Sequence, residues 1–288
     1  MLRAEPAAAA LDRLPPQALF VLGAISQYVG AALAVLLFAS VPAAGVAWLR
    51  VVAAAGVLVA WRQPWRTHWT GARLRLVAAF GIALALMNLC FYLSIDRLPL
   101  GTAVAIEFCG PIAVAALGSR TRRDLLALAL ALAGVLALAD VHVAGSPLGF
   151  ALAAGAGVFW AAYIVLGHRV AADAQIRPQD GLALAMGIGA AALAPALVVP
   201  AVPALVDPLL LAACLAVGVA SSVVPYALEQ IAMRRLPRAR FALLLALLPA
   251  TAAVVGAIVL GQVPAAVEAA GIALVVIAAS LRTHAEFR

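Results

Sequence analysis

From Leu14 to Leu49 the chain runs for 36 residues without a charged side chain. A helix that crosses a bilayer takes about 20 apolar residues, so this stretch holds one span and most of a second. It is longer than the ~7–15-residue apolar core of a cleaved signal peptide, and the first helix is expected to stay in the membrane as an uncleaved anchor. Composition extends the argument to the whole chain. Of 288 residues, 67% are hydrophobic and 11% are charged, against about 45–50% and 25% in a soluble domain. One globular core of this size cannot hide so much apolar surface, so lipid is the expected solvent. A soluble enzyme, a nucleic-acid binder and a disordered protein are excluded. The net charge of +7 comes entirely from Arg, with no Lys, which reads as coding bias.

Charges, Pro and Gly divide the chain into ten candidate spans, near residues 17–39, 43–61, 75–95, 100–118, 124–141, 147–167, 179–201, 208–232, 239–260 and 264–281. Arg placement tests the count. With the N-terminus inside, the inner loops hold Arg62, Arg66 and Arg73, then Arg120, Arg122 and Arg123, then Arg169 and Arg177, then Arg234, Arg235, Arg238 and Arg240. The tails add Arg3, Arg13, Arg282 and Arg288, whereas the outer loops hold only Arg97, with Asp96, Asp140 and Asp207. This is the positive-inside asymmetry. The expected fold is an all-α membrane protein of ten transmembrane helices with both termini cytoplasmic.

Residues 97–111, RLPLGTAVAIEFCGP, and 235–249, RLPRARFALLLALLP, both open on Arg-Leu-Pro and both place a second Pro 12 residues after the first. The offset, 138, is close to half the chain. Five helices per half is an odd number, so the second half must enter the membrane upside down. The expected domains are a cytoplasmic tail (1–16), a five-helix repeat (17–141), a second, inverted repeat (147–281) and a short tail (282–288). Inverted repeats mark transporters whose substrate site lies between the halves near the midplane.

Ionisable groups at depth are costly and are functional candidates by default. At about 1.5 Å per residue, Glu107 lies ~10 Å below the outer end of the fourth span and Arg50 ~12 Å below that of the second. The matching depths allow the two to meet. Glu229 and Glu268 fall near the ends of their spans. Glu107 reads as the site of a substrate amine or a coupling proton. Arg50, whose planar fork suits carboxylates, reads as the partner of that charge or of a substrate carboxylate. Pro lacks an N–H and frees the carbonyl four residues earlier. Pro111 thus frees Glu107, Pro225 frees Ser221 and Pro249 frees Leu245, three candidate helix breaks.

Polar and aromatic residues at similar depth complete the candidate pocket: Gln27 and Tyr28 beside Ser26, Asn88 and Tyr92, Trp160 and Tyr163, and Tyr226 beside Ser221 and Ser222. Asn88 and Tyr226 are themselves 138 apart. Trp48, Trp61, Trp65 and Trp69 read as interfacial belt residues. Gly149, Ala153, Gly157 and Ala161 form a small-residue stripe suited to helix packing. Cys90, Cys109 and Cys214 sit in apolar runs without a metal or disulfide pattern. No phosphate loop, metal motif or nucleophile elbow is present, so neither a cofactor nor an enzymatic reaction is expected. The expected partners are a small substrate, protons and the bilayer, not nucleic acid.

The segments MNLCFYLSIDRLPLGTAVAIEFCGPIAV (87–114), ALAAGAGVFWAAYIVLGHR (151–169) and PYALEQIAMRRLPRARFALL (225–244) resemble the drug/metabolite transporter superfamily. Within it the chain is most similar to the EamA-type ten-helix carriers and to bacterial inner-membrane threonine/homoserine exporters. The resemblance implies a proton-linked exporter of small amino acids, with Glu107 in the family's Glu-Phe-x-Gly-Pro segment. It also exposes two departures: Leu248 and Gln262 stand where many relatives carry acids. The alternative reading keeps the fold and exports another metabolite or a drug. A membrane scaffold or enzyme is a remote third.

Overall fold

The computed structural model describes residues 14–118, 122–142, 146–235 and 244–283. Residues 1–13 and 284–288 of the expected tails, Arg120, Arg238 and Arg240, and the side chain of Glu229 lie outside the described residues.

Ten helical rods follow one another along these residues. They are α1 (Pro16–Leu37), α2 (Ala43–Arg62), α3 (Gly71–Ile95), α4 (Leu100–Glu107 and Cys109–Gly118), α5 (Arg122–His142) and α6 (Pro147–Ala172). Next come α7 (Pro178–Val206) and α8, which joins Pro208–Gly218 and Val224–Arg235 through a π-helical turn at Val219–Val223. The last are α9 (Leu248–Leu260) and α10 (Ala266–Thr283). Six stretches have the length and hydropathy to cross a bilayer: α1, α2, α3, α6, α7 and the Pro208–Leu228 part of α8. The rest are shorter apolar helices.

Most of these helices are apolar around their whole circumference, which suits rods buried in lipid and in one another. Val158, Val199 and Ile258 are 66%, 70% and 78% exposed, so the outer surface is as greasy as the interior. Packing therefore draws little on a hydrophobic difference between inside and outside. It rests on close backbone approach at small residues. A Cβ on Gly110 of α4 would collide with the Gly157 carbonyl of α6, and one on Gly81 of α3 with the Ala185 carbonyl of α7. One on Gly134 of α5 would come within 2.7 Å of the Gly271 carbonyl of α10. Gly157 belongs to the small-residue stripe, which packs as its spacing predicts.

Between helices that are not neighbours in the chain, the main contacts are α3 with α6 and α7, α1 with α8 and α9, α2 with α7 and α8, α4 with α6 and α9, and α5 with α10. Advancing every helix by five in chain order, with α1 following α10, turns this set of pairs into itself.

Ends are closed by specific groups. The Gln262 Oε1 accepts from the Leu100 N–H at 2.9 Å, capping α4 against the donor a helix start leaves open. Glu268 caps α10 by accepting from the Ala265 N–H. Gly261 (φ 68°) ends α9 in the left-handed region, where glycine carries no Cβ penalty. Trp48 departs from the expected belt role. Its Nε1 donates to the Ala190 carbonyl at 2.8 Å, so it ties α2 to α7. Trp61 and Trp65 remain exposed.

Candidate functional site

Glu107 is the last residue of the first half of α4. The break follows at Phe108, three residues before Pro111, as the missing proline N–H requires. Gly157 lies so near that a Cβ there would sit 2.8 Å from the Glu107 carbonyl oxygen. The Glu107 side chain is buried and lines a cavity of about 250 Å3.

Arg50 reaches the same cavity from α2. Gly218 brings the backbone of α8 against that of Arg50, where a Cβ would stand 2.9 Å from the Arg50 carbonyl oxygen. The guanidinium then donates from Nε to Ser222 Oγ at 3.0 Å and from Nη2 to the Ser221 carbonyl at 2.9 Å. Its carbon lies 5.0 Å from the centre of the Tyr92 ring, within cation–π range. The Ser221 carbonyl is the one that Pro225 leaves without its helical donor. The π turn is held further by Ser26 Oγ, which donates to the Ala220 carbonyl at 2.7 Å.

Arg50 and Glu107, whose depths allow them to meet, do not pair. Among the described residues no ion pair joins them within 4 Å. Their depths agree, but the π turn of α8 offers Arg50 two nearer acceptors. Both charges instead face one enclosed space.

Of the other candidates, Gln27, Tyr28, Asn88, Trp160, Tyr163, Tyr226, Pro111 and Pro225 all line this cavity. Asn88 turns its Nδ2 back to the Leu84 carbonyl at 2.8 Å. Tyr92 and Pro249 lie outside the lining. Tyr92 is fully buried beneath Arg50, and its hydroxyl has no hydrogen-bond partner among the described residues. Pro249 sits at the start of α9. The sequence reading missed Met87, Phe91, Phe108 and Ile164, which complete the apolar wall. Phe108 meets Trp160 edge-on, centroids 5.2 Å apart. Leu245 and Leu248 close the wall from the α9 side. Leu245 is the residue 138 places after Glu107.

A second, larger space of about 540 Å3 lies toward the α2–α3 and α6–α7 loops and shares Tyr163 and Ile164 with the first. Tyr163 stacks on Phe80 there at 5.0 Å. At that end Arg62 pairs with Asp180 at 3.0 Å, Thr67 Oγ1 donates to Asp180 at 3.1 Å, and Arg73 pairs with Asp173 at 2.9 Å. The Gln175 backbone N–H, with Arg73 second, holds the Asp173 carboxyl below its ordinary range.

An apolar ten-helix bundle around a small cavity lined by two buried charged residues is the build of a carrier of small molecules. The chain belongs to the EamA-like transporter family, whose model matches residues 147–283. It is 40% identical over 236 residues to the "Threonine/homoserine exporter RhtA" of Salmonella typhimurium (strain SL1344), covering 81% of this chain and 79% of that one. The protein of the same name from Escherichia coli (strain K12) is 39% identical over the same shares. One solved crystal structure, at 21% identity and a TM-score of 0.55, covers 92% of this chain and 95% of its own; that likeness concerns the fold alone. The chain is a multi-pass inner-membrane transporter, not an enzyme.

Proposed function

We propose that this chain exports small amino acids of the threonine/homoserine type by alternating access, in exchange for protons. One observation carries the reading: the Glu107 carboxylate and the Arg50 guanidinium line one central cavity without pairing to each other. A zwitterion answers both, its ammonium toward Glu107 and its carboxylate toward Arg50. Charged groups at such depth need a counter-charge, which a proton supplies at Glu107 when the substrate is absent. The cavity's size also bears on substrate. At about 250 Å3 it falls below the ~300–1,000 Å3 typical of sites for drug-sized ligands, which favours a small metabolite over a drug. The names of the relatives point the same way.

The remaining expectations belong to this proposal. Residues 17–141 and 147–281 form two inverted repeats, and the tails 1–16 and 282–288 are cytoplasmic. Support comes from the 138-residue offset, from helix pairs that recur on advancing by five, and from the Arg-rich loops at one end. The Glu107 and Ser221 carbonyls, freed by Pro111 and Pro225, mark interrupted helices beside the site, as in carriers built from repeats. Pro249 breaks the corresponding helix of the second half without reaching the cavity.

The test is uptake of labelled threonine and homoserine into inside-out vesicles, with and without an imposed proton gradient, for the unaltered protein and for Glu107→Gln. Gradient-driven uptake by the unaltered protein, lost in the variant at equal insertion, is the expected result. Full uptake by Glu107→Gln would remove Glu107 from the mechanism. No uptake of either amino acid by the inserted protein would end the amino-acid reading.

A further inference from the structure

We propose that the larger space at the loop end is a recruitment site for the carboxylate of the incoming substrate, with Arg177 as its anion-binding residue. This inference rests on the amino-acid reading above for its ligand, though not for its electrostatics.

The space is distinct from the central cavity yet continuous with it in lining. Tyr163 and Ile164 line both, so the two spaces lie on opposite sides of one shared wall. Its floor is aromatic, the stacked pair of Phe80 and Tyr163. Its lining includes two arginines, Arg62 and Arg177. They are not equivalent. Arg62 directs both Nε and Nη2 to Asp180, each at 3.0 Å, and its charge is spent there. Arg177 lines the same space and makes no ion pair among the described residues. The lining includes no acidic residue. The space therefore bears an uncompensated positive charge beside aromatic rings and the Gln179 amide. That suits a small carboxylate with a short polar or apolar side chain. A charged mouth of this kind raises the local concentration of its ligand and the rate of encounter.

The position of Tyr163 adds a sequence of events. The carboxylate is held at Arg177 while the rest of the molecule lies over Tyr163. Passage of that wall hands the carboxylate to Arg50. The two arginines thus bind the same group at successive stations, and an amino alcohol is not retained at the first.

The experiment replaces Cys90, Cys109 and Cys214 with Ala and places a reporter at Gln179→Cys, or at Leu182→Cys if the first is poorly inserted. In inside-out vesicles of the full chain, the reporter is labelled with a sulfonate-bearing and a trimethylammonium-bearing methanethiosulfonate. Because the same thiolate attacks the sulfur of either reagent and expels methanesulfinate from each, their rate ratio, divided by that for a free thiol in solution, reports the local potential. One kT of potential changes that ratio about sevenfold, as the square of e. The sulfonate reagent is expected to react faster at low salt. Arg177→Gln is expected to lower the ratio several-fold and Arg177→Lys to keep it. Threonine and propionate are expected to slow labelling, and threoninol, which lacks the carboxylate, is not. A ratio unchanged by Arg177→Gln overturns the proposal, as does threoninol protecting as well as threonine. Protection by propionate but not by threonine sinks the amino-acid reading and leaves the anion site standing. Protection by neither overturns the site.

Discussion

Arg50 donates to the Ser221 carbonyl at 2.9 Å, taking the acceptor that Pro225, four residues on, cannot serve. The guanidinium is thus held at the cavity wall by a fault in the opposite helix. Ser222 Oγ and the Tyr92 ring hold it from two other directions. A site that must bind a carboxylate repeatedly profits from a donor whose orientation is fixed before the ligand arrives.

Arg50→Gln is accordingly expected to raise the KM for threonine about 10- to 100-fold, from the loss of one charge-assisted interaction worth about 1.5–3 kcal/mol. Arg50→Lys recovers part of this, since a point charge cannot serve Ser222, Ser221 and a carboxylate with the same fork. The measurement is concentration-dependent uptake in inside-out vesicles at matched insertion. Unchanged KM values in both variants would separate Arg50 from substrate binding.

Much of this was legible in the sequence because depth follows from counting. A fixed rise per residue placed Glu107, Arg50 and Asn88 at similar depth, and the missing N–H of Pro111 placed the break beside Glu107. Azimuth was not legible. Helices that are apolar on every side give no stripe to show which way a residue faces. Hence Tyr92, one turn from Asn88, was assigned to the pocket but packs beneath Arg50. Hence also Trp48, expected in the interfacial belt, turns inward to Ala190. The Arg50 partners were hidden for another reason: a π turn shifts register locally, and no residue pattern at Val219–Val223 announces it.

The crossing of α4 and α6 should be intolerant of any side chain at Gly110. A Cβ there would collide with the Gly157 carbonyl, and backbone cannot move aside as a flexible side chain can. Gly110→Ala is expected to cost about 1–3 kcal/mol, the range for overpacking a tight interior. The effect should appear as a lower Tm of the detergent-solubilised protein and as weaker export, because Glu107 lies three residues away. Gly56→Ala is the control. Nothing lies within 4 Å of a Cβ at that position, and the substitution is expected to leave both unchanged.

At the loop end, acidification should loosen the Arg73–Asp173 link. The Gln175 N–H and Arg73 favour the charged carboxylate and hold Asp173 below its ordinary value near 3.8. A carboxyl lowered in the folded state adds stability that is present above its unfolded value and lost as pH falls through the folded one. Asp173→Asn should therefore lower Tm at pH 7, and the gap from the unaltered protein should close below about pH 4. A gap independent of pH would mean that the pair contributes through packing alone.

The two halves offer a stricter test. Leu245 stands 138 residues after Glu107, and both line the central cavity. If the halves are related as proposed, a carboxylate at 245 enters the same space from the opposite side. Glu107→Leu alone is expected to abolish gradient-driven uptake. Adding Leu245→Glu is expected to restore threonine binding to the purified protein, because the cavity regains its acid without a change in net charge. Transport should recover less than binding, since the returned carboxylate sits just ahead of α9 and not beside the Phe108 break. Binding that stays lost in a folded double variant would show that the equivalence of 107 and 245 is one of sequence offset only.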